Sequence, residues 1–598
     1  MEINQNGFIA YLNSLHNLGA SGANALAESQ ALSSYFGELY EPFSLIDRLV
    51  EVLTDKVQRV VVLTGHAGDG KSTVALDVLK TLRDLPSKAP LKDPLSERED
   101  ITRPAGSITI VKDMSELSAE RRQQWLDQAF SEPGSWLIVS NTGPLLHSLA
   151  DYAKGTGFDK DIESAILERL DQSLGDGHLG RDSLNIFDKE LVILNLTRLD
   201  NVALGAKILT KLVEHSAWGK CGECSAEPAC PLQLNRKAIR DTGPVAEERV
   251  RWIYQRLSAY EQRLTLRQIV AQLALGLTGG MSCNEAYRQV TVSSAEGVDR
   301  GSAGLERILF SEGFFGYRGG KPWPQAEGLH AVALVRRVTF GAPVGVDFER
   351  RISSEVGIGW AVLPSSLDCL GSHWRKRASE SAGVRWRFAL RRMAYLFGGV
   401  AQGKDQSAHV FLDAFLQSPS LREFNHWQKA GKLTLSRPEA NRLLTSCLRV
   451  LLEVFSGFSA SQFHSRHDTL YLTLRRPDLA VVQPTQLVIE TLPFRDFDID
   501  FDSVRRVPVL SFDRGLAKLE LTLPLLDYIC RRDAGELGNA LSPIHQAQLD
   551  WFQAELLKVT ADRRRRKDEI ELLRAGIDGE VYPHRFLLDQ DQNILEQG

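Results

Sequence analysis

The stretch from Val60 to Thr73, Val-Val-Val-Leu-Thr-Gly-His-Ala-Gly-Asp-Gly-Lys-Ser-Thr, constrains the fold more tightly than any other part of the chain. Val60, Val61, Val62 and Leu63 form the largely β-branched run expected of a strand buried on both faces. Gly65 to Ser72 follow the pattern G-x-x-x-x-G-K-S, a P-loop. Val74, Ala75, Val78 and Leu79 then recur at helical spacing. A strand, a glycine-rich loop and a helix in that order predict an α/β fold whose loop wraps phosphate oxygens.

Each residue type in the loop has a physical reason. Gly65, Gly68 and Gly70 allow tight backbone turns that aim N–H groups at an anion, with His66, Ala67 and Asp69 between them. The positive end of the following helix adds to that field. Lys71 has the reach for β- and γ-phosphates, and the Ser72 hydroxyl is the expected Mg²⁺ ligand, with Thr73 beside it. ATP and Mg²⁺ are therefore the expected ligands.

Further strands are expected at Ile108–Asp113, Trp136–Thr142 and Leu191–Arg198, alternating with helices, one of them near Glu120–Phe130. Alternation of this kind implies a parallel sheet with its ligand groups at the strands' C-terminal ends. That rule selects Asp113 as the acidic residue for Mg²⁺ and Glu116 to polarise an attacking water. It also selects Asn141 to sense the γ-phosphate and Arg198 to neutralise charge in the transition state. The segment Asp84 to Gly106 is rich in Pro, Lys and Asp and reads as loop. Residues 1–59 read as mainly helical, with Phe43, Leu45, Ile46, Leu49 and Val50 forming an apolar stripe.

A second constellation follows. Cys221 and Cys224 have knuckle spacing and Cys230 comes six residues later, a pattern suited to a structural zinc ion. The fourth ligand is His215 or Cys283. Downstream, Thr265 reads as the N-cap of an apolar helix that ends at Gly279-Gly280. Arg267 in its first turn opposes the helix dipole, which points to contact with a nucleotide phosphate.

The chain has 598 residues, 43% hydrophobic and 25% charged, enough for three or four domains. The expected divisions are a core at 1–210, a Cys-rich segment with a helical lid at 211–295, a helical domain at 296–460 and a mixed α/β domain at 461–598. A net charge of −5 gives no global basic signature, so contact with nucleic acid needs a local patch. The basic residues among aromatics from Trp374 to Arg392 are one candidate, and the run Arg563 to Lys567 is another. Asp496 to Asp502 alternates acidic and apolar residues, as in a half-buried strand. Ser542-Pro543 begins a helix expected to reach Gly576. Neither the first residues nor any later run resembles a signal peptide or the roughly 18 apolar residues of a membrane span. Seven scattered cysteines agree with a reducing cytoplasm.

The P-loop, Lys112-Asp113-Met-Ser-Glu116-Leu, Ser140-Asn141-Thr142-Gly143, Asn195-Leu-Thr-Arg198 and the Cys221/Cys224/Cys230-Pro231 knuckle occur in order. This set resembles the P-loop ATPases of bacterial antiphage defence, in particular the Dnd-type phosphorothioation-dependent DNA restriction ATPase, the DptF family. The resemblance covers about residues 40–290. It implies an ATPase that works with helicase or nuclease partners on duplex DNA lacking the host's backbone sulfur, and that could form a homo-oligomer. The fold expected is an AAA+/STAND-like α/β P-loop NTPase core with a Cys-rich insertion. A mainly α-helical C-terminal region containing some β would follow it. The alternative functions are a STAND-like signalling switch and a DNA-binding scaffold with a regulatory nucleotide site.

Overall fold

The computed structural model describes residues 5–16, 33–43, 45–90, 96–104, 106–155, 162–171, 189–227, 229–293, 302–341, 343–354, 361–380, 383–400, 406–464, 467–474, 484–536, 541–561, 569–588 and 594–597. They form two compact units, residues 1–258 with 262–415 and residues 259–261 with 416–598. The boundaries expected at 210 and 295 lie inside the first unit, and that at 460 lies inside the second.

The first unit is built on a five-stranded sheet of β1 (Arg59–Thr64), β2 (Arg98–Arg103), β3 (Gly106–Val111), β4 (Ser135–Val139) and β5 (Glu190–Asn195), in the order β2-β3-β4-β1-β5. β3, β4, β1 and β5 are parallel, while β2 is antiparallel to β3. β1 is central: Val61 is in register with Leu137 on one side and Val192 on the other. Chain order reverses about β1, so the crevice beyond its C-terminal end is a topological switch point, where open α/β sheets bind ligands.

Helices α1 (Gly7–Leu15), α2 (Phe36–Leu39) and α3 (Ile46–Thr54) precede β1, and α4 (Lys71–Leu82) follows it. α5 (Ala119–Ser131) connects β3 to β4, and α6 (Thr142–Gly155) and α7 (Ile162–Asp171) lie between β4 and β5. The two-residue period of a strand explains the layering. Val61 and Leu63 pack into one core with Leu49, Leu53, Val74 and Val78 of α3 and α4. Val60 and Val62 face the opposite core with Leu126, Leu149 and Ile166 of α5, α6 and α7. All six residues of β1 are buried.

β2 lies in the segment read as loop. Its sequence, Arg-Glu-Asp-Ile-Thr-Arg, has no apolar alternation because it is an edge strand in which only Ile101 is buried. Strand ends also shift. Lys112 and Asp113 lie past β3, and Thr142 already belongs to α6.

Beyond β5 the first unit is helical apart from pairs of two-residue strands. Its helices include α8 (Asn201–Glu214), α9 (Pro231–Thr242), α10 (Pro244–Ala259), α11 (Leu266–Thr278) and α12 (Cys283–Ser293). α11 starts with the expected Thr265 cap, completed by Gln268 as a capping box, and ends at Gly279 in the left-handed region.

The second unit is mixed α/β. Strands 469–473, 485–493, 569–575, 581–588 and 594–597 form one antiparallel sheet. Strands 497–502, 507–512 and 517–520 form another. In the strand Phe497–Asp502, Phe497 is buried while Asp498 and Asp500 are exposed, the alternation read from the sequence. The last helix is shorter than expected: Pro543–Thr560, with Glu569–Ala575 a strand. Gly576 belongs to the hairpin turn, where its N–H meets the Glu580 carbonyl and Gly579 takes φ 84°. The run Arg563 to Lys567 lies outside the described residues. Among the described residues no helix is long and apolar enough to cross a membrane.

Candidate functional site

The loop between β1 and α4 is held by its neighbours. Gly68 and Gly70 have φ of 92° and 90°, a region that favours glycine. A Cβ at Gly68 would lie 2.9 Å from Thr265 Oγ1, and one at Gly70 would lie 3.0 Å from the Phe43 ring. Both positions therefore need glycine for conformation and for space. Asp69 is completely buried beneath the loop. Its carboxylate accepts two bonds from Arg263 Nη1, at 3.0 and 2.9 Å, and others from Asn201 Nδ2 and the His66 N–H. Arg263 and Asn201 escaped the sequence reading, because nothing in their local pattern marks a partner 132 to 194 positions away.

Lys71 opens α4 and is nearly buried, at 6% exposure. Its ammonium donates to the Gly65 and His66 carbonyls and, at 2.8 Å, to Asn141 Oδ1. Burial lowers its pKa, with the Asp113 and Asp69 carboxylates opposing that shift. Lys71, read from the loop pattern, and Asn141, read from the end of a strand, thus meet directly.

Asp113 caps the short turn Met114–Glu116, where its Oδ1 accepts from the Ser115 N–H at 2.9 Å. Ser115 Oγ in turn accepts from the Asn141 N–H at 2.7 Å, which ties the ends of β3 and β4 together. Glu116 is exposed at the rim. These groups share one cavity of about 380 Å³ with Gly68, Ser72, Thr73 and Arg267. Its polar lining includes Lys71, Asp113, Glu116 and Asn141. Its apolar lining includes Tyr11 of α1, Phe36 and Leu39 of α2, Phe43 between α2 and α3, and Ile208 and Val270. Arg267 stands exposed at the wall, and the Arg267 charge adds to the depression of the Lys71 pKa. Among the described residues it has no ion-pair partner. Arg198 closes the turn Leu196–Arg198 after β5, and its side chain lies outside the described residues.

The cysteine segment folds as a 3-10 turn, Ser216–Glu223, followed by a turn in which the Cys224 N–H meets the Cys221 carbonyl. Asn6 Nδ2 contacts Cys221 Sγ at 3.2 Å. Cys230 caps α9, and burial pushes its thiol up to about 11. Cys230 and Cys283 each have Cys221 and Cys224 as electrostatic neighbours. His215 has no free ring nitrogen: Nε2 pairs with the Tyr35 carbonyl and Nδ1 accepts from the Ala217 N–H. Its ring stacks on Phe8 at 4.2 Å. His215 is therefore a buried histidine with both ring nitrogens engaged within the fold. Among the described residues no group of three or more His, Cys, Asp and Glu is arranged to hold a metal ion.

The basic run from Trp374 to Arg392 is not one surface. Trp374 and Trp386 are buried. Arg391 and Arg392 are buried too, paired with Glu349 and Glu312. No protein-family model, curated protein or solved structure matches this chain.

Proposed function

We propose that the chain binds and hydrolyses ATP with Mg²⁺ at the crevice beyond β1, as a P-loop NTPase. The observation that carries this reading is the shared cavity. A buried lysine, glycines of the loop, Ser72, Asp113 and Arg267 line it together with apolar side chains. A nucleoside triphosphate likewise joins a charged phosphate chain to a flat apolar base, and the volume suits it. The residues fit a divalent ion as well, since the Ser72 hydroxyl and the Asp113 carboxylate line the same cavity. Magnesium held there would neutralise charge on the β- and γ-phosphates.

The chain's own groups then have separate tasks. The loop N–H groups and the N-terminus of α4 bind the phosphates. Lys71 exchanges its carbonyl partners for phosphate oxygens, which offsets the cost of burying its charge. Asn141 holds Lys71 in position and reaches the same oxygens. Glu116, at the water-facing rim, accepts a proton from the attacking water. Arg267, beside Gly68 of the loop, balances negative charge on the phosphates. The resemblance to restriction ATPases supports a use for this turnover in a DNA-restriction complex, acting with partner proteins on unmodified duplex DNA.

The test is ATP turnover by the intact chain and by Lys71→Ala, with and without Mg²⁺ and duplex DNA. Turnover that falls at least about 100-fold in the variant and without Mg²⁺ is expected. Equal turnover in variant and wild type would remove Lys71 and the cavity from the mechanism.

A further inference from the structure

α11 has a charged feature at each end. Its N-terminal end carries Arg267 into the nucleotide cavity. Its C-terminal end, at Gly279 and Gly280, forms one wall of a second cavity of about 290 Å³. Arg288 of α12, Arg307 of the helix Ser302–Ile308 and Arg318 line this cavity together with one carboxylate, Glu285.

The four charges are not balanced. Glu285 is turned to its own helix end, where it accepts from the Ser282 N–H at 2.8 Å and the Ser282 hydroxyl at 2.9 Å. Arg288 and Arg307 are exposed, and among the described residues neither is ion-paired. Arg318 is half-buried. Its guanidinium lies 3.8 Å from the centre of the Trp323 ring and donates to the Gly279 carbonyl, while its Nε is buried without a partner. Burial and the Arg307 charge lower the Arg318 pKa, and the Glu285 carboxylate opposes that shift. Glu285 is the one carboxylate in the lining, and it offsets only part of the cost of holding three guanidiniums there.

We propose that this cavity is a phosphate-binding site, distinct from the nucleotide site and built from Arg288, Arg307 and Arg318. The guanidinium fork matches two oxygens of a phosphate, and three forks with one anchored carboxylate leave a net charge of +2 for an anion. The ligand chemistry is a phosphate mono- or diester, either in a nucleic-acid backbone or on a small molecule. The proposal does not rest on the ATPase reading. The 13 residues of α11 separate the two cavities by about 18 Å at 1.5 Å per residue.

The test uses the full-length chain and the double variant Arg288→Ala/Arg307→Ala. Both side chains are exposed and, among the described residues, neither is ion-paired, so the melting temperature of the variant is expected to match the wild type. Binding of a fluorescein-labelled 12-nucleotide single strand and of a 12-base-pair duplex is followed by anisotropy over a salt series. Binding of inorganic phosphate is followed by calorimetry. If the phosphate belongs to a nucleic-acid backbone, the variant binds oligonucleotide at least about tenfold more weakly and its salt slope falls by about one to two. If it belongs to a small molecule, only the phosphate titration loses its variant-sensitive component. Oligonucleotide and phosphate binding both unchanged in the variant would overturn the proposal. A fluorescent ADP analogue serves as the control for the first cavity. Its affinity stays the same in the variant, and a loss there would mean that the two cavities are one site.

Discussion

Arg391 and Arg392 are adjacent in sequence, in a run that reads as a basic surface, yet they are 1% and 2% exposed and each is held by a carboxylate. Arg288, Arg307 and Arg318 belong to three separate elements and form no run, yet the fold gathers them around one cavity without balancing them. The difference shows how little linear spacing says about where charge is available. A helix that carries arginines among Trp386, Leu390 and Met393 must turn some of them inward, and inside they persist only as paired groups. Arginines on short elements at a helix terminus face no such demand.

The largest effect should come from breaking the inner pair. Glu312 is 1% exposed, and it accepts from Arg392 Nε at 2.6 Å and from the Gly320 N–H at 2.8 Å. Arg392→Leu leaves that carboxylate buried without its cation, at a cost of about 4 kcal/mol. Urea unfolding should show this loss, and adding Glu312→Leu should recover most of it. The folded fraction should bind oligonucleotide as the wild type does. A stable Arg392→Leu with weakened oligonucleotide binding would reverse the comparison and make the sequence run the true contact surface.

Asp69 is the same kind of buried charge placed beneath the loop proposed to bind phosphate, and it should give the next largest effect. Asp69→Asn leaves Arg263 facing a neutral group. Because the Arg263 side chain is 28% exposed, the expected cost is discounted to about 3 kcal/mol. Nucleotide affinity should fall with it, since the His66 N–H loses its anchor. Unchanged thermal stability together with lost affinity would make Asp69 a ligand contact, not a brace.

These examples separate what the sequence could show from what it could not. β1, its loop and α4 were legible because one contiguous stretch carries strand, turn and helix signals whose reasons are local. Asp113 and Asn141 were legible by a rule of topology, which needs only strand ends. Three features gave no such signal. β2 is a polar edge strand and has no period to detect. The Arg263–Asp69 bond joins segments 194 residues apart. The helix expected to reach Gly576 ends at Thr560, and Glu569–Ala575 is instead a strand paired with Val581–Leu588 around the turn at Ile577-Asp-Gly579, while the charged run after Thr560 can be read as a continuing helix face. The Trp374–Arg392 run misleads for the opposite reason. Its composition is plain, but burial decides its role.

His16 offers the smallest and sharpest test of the rule that charge gathers outside and is excluded inside. It lies directly behind the arginine cavity: a Cβ on Gly280 would be 3.9 Å from its Cε1. Its Nε2 sits between Asn13 Oδ1 at 3.1 Å and Thr278 Oγ1 at 3.2 Å, and among the described residues its buried Nδ1 has no partner. Burial lowers its pKa to about 4, and no carboxylate offsets that shift. The unfolded chain, with an ordinary value near 6.5, takes up the proton first. Stability linked to His16 is therefore complete above pH 6.5 and is lost as the pH falls toward 4, by about 2 kcal/mol at pH 5. His16→Gln cannot titrate, so its melting temperature should fall less than that of the wild type between pH 7.5 and 5. Parallel declines in the two proteins would mean that His16 is already charged in the folded state, and that the interior behind the arginine cavity tolerates a fourth cation.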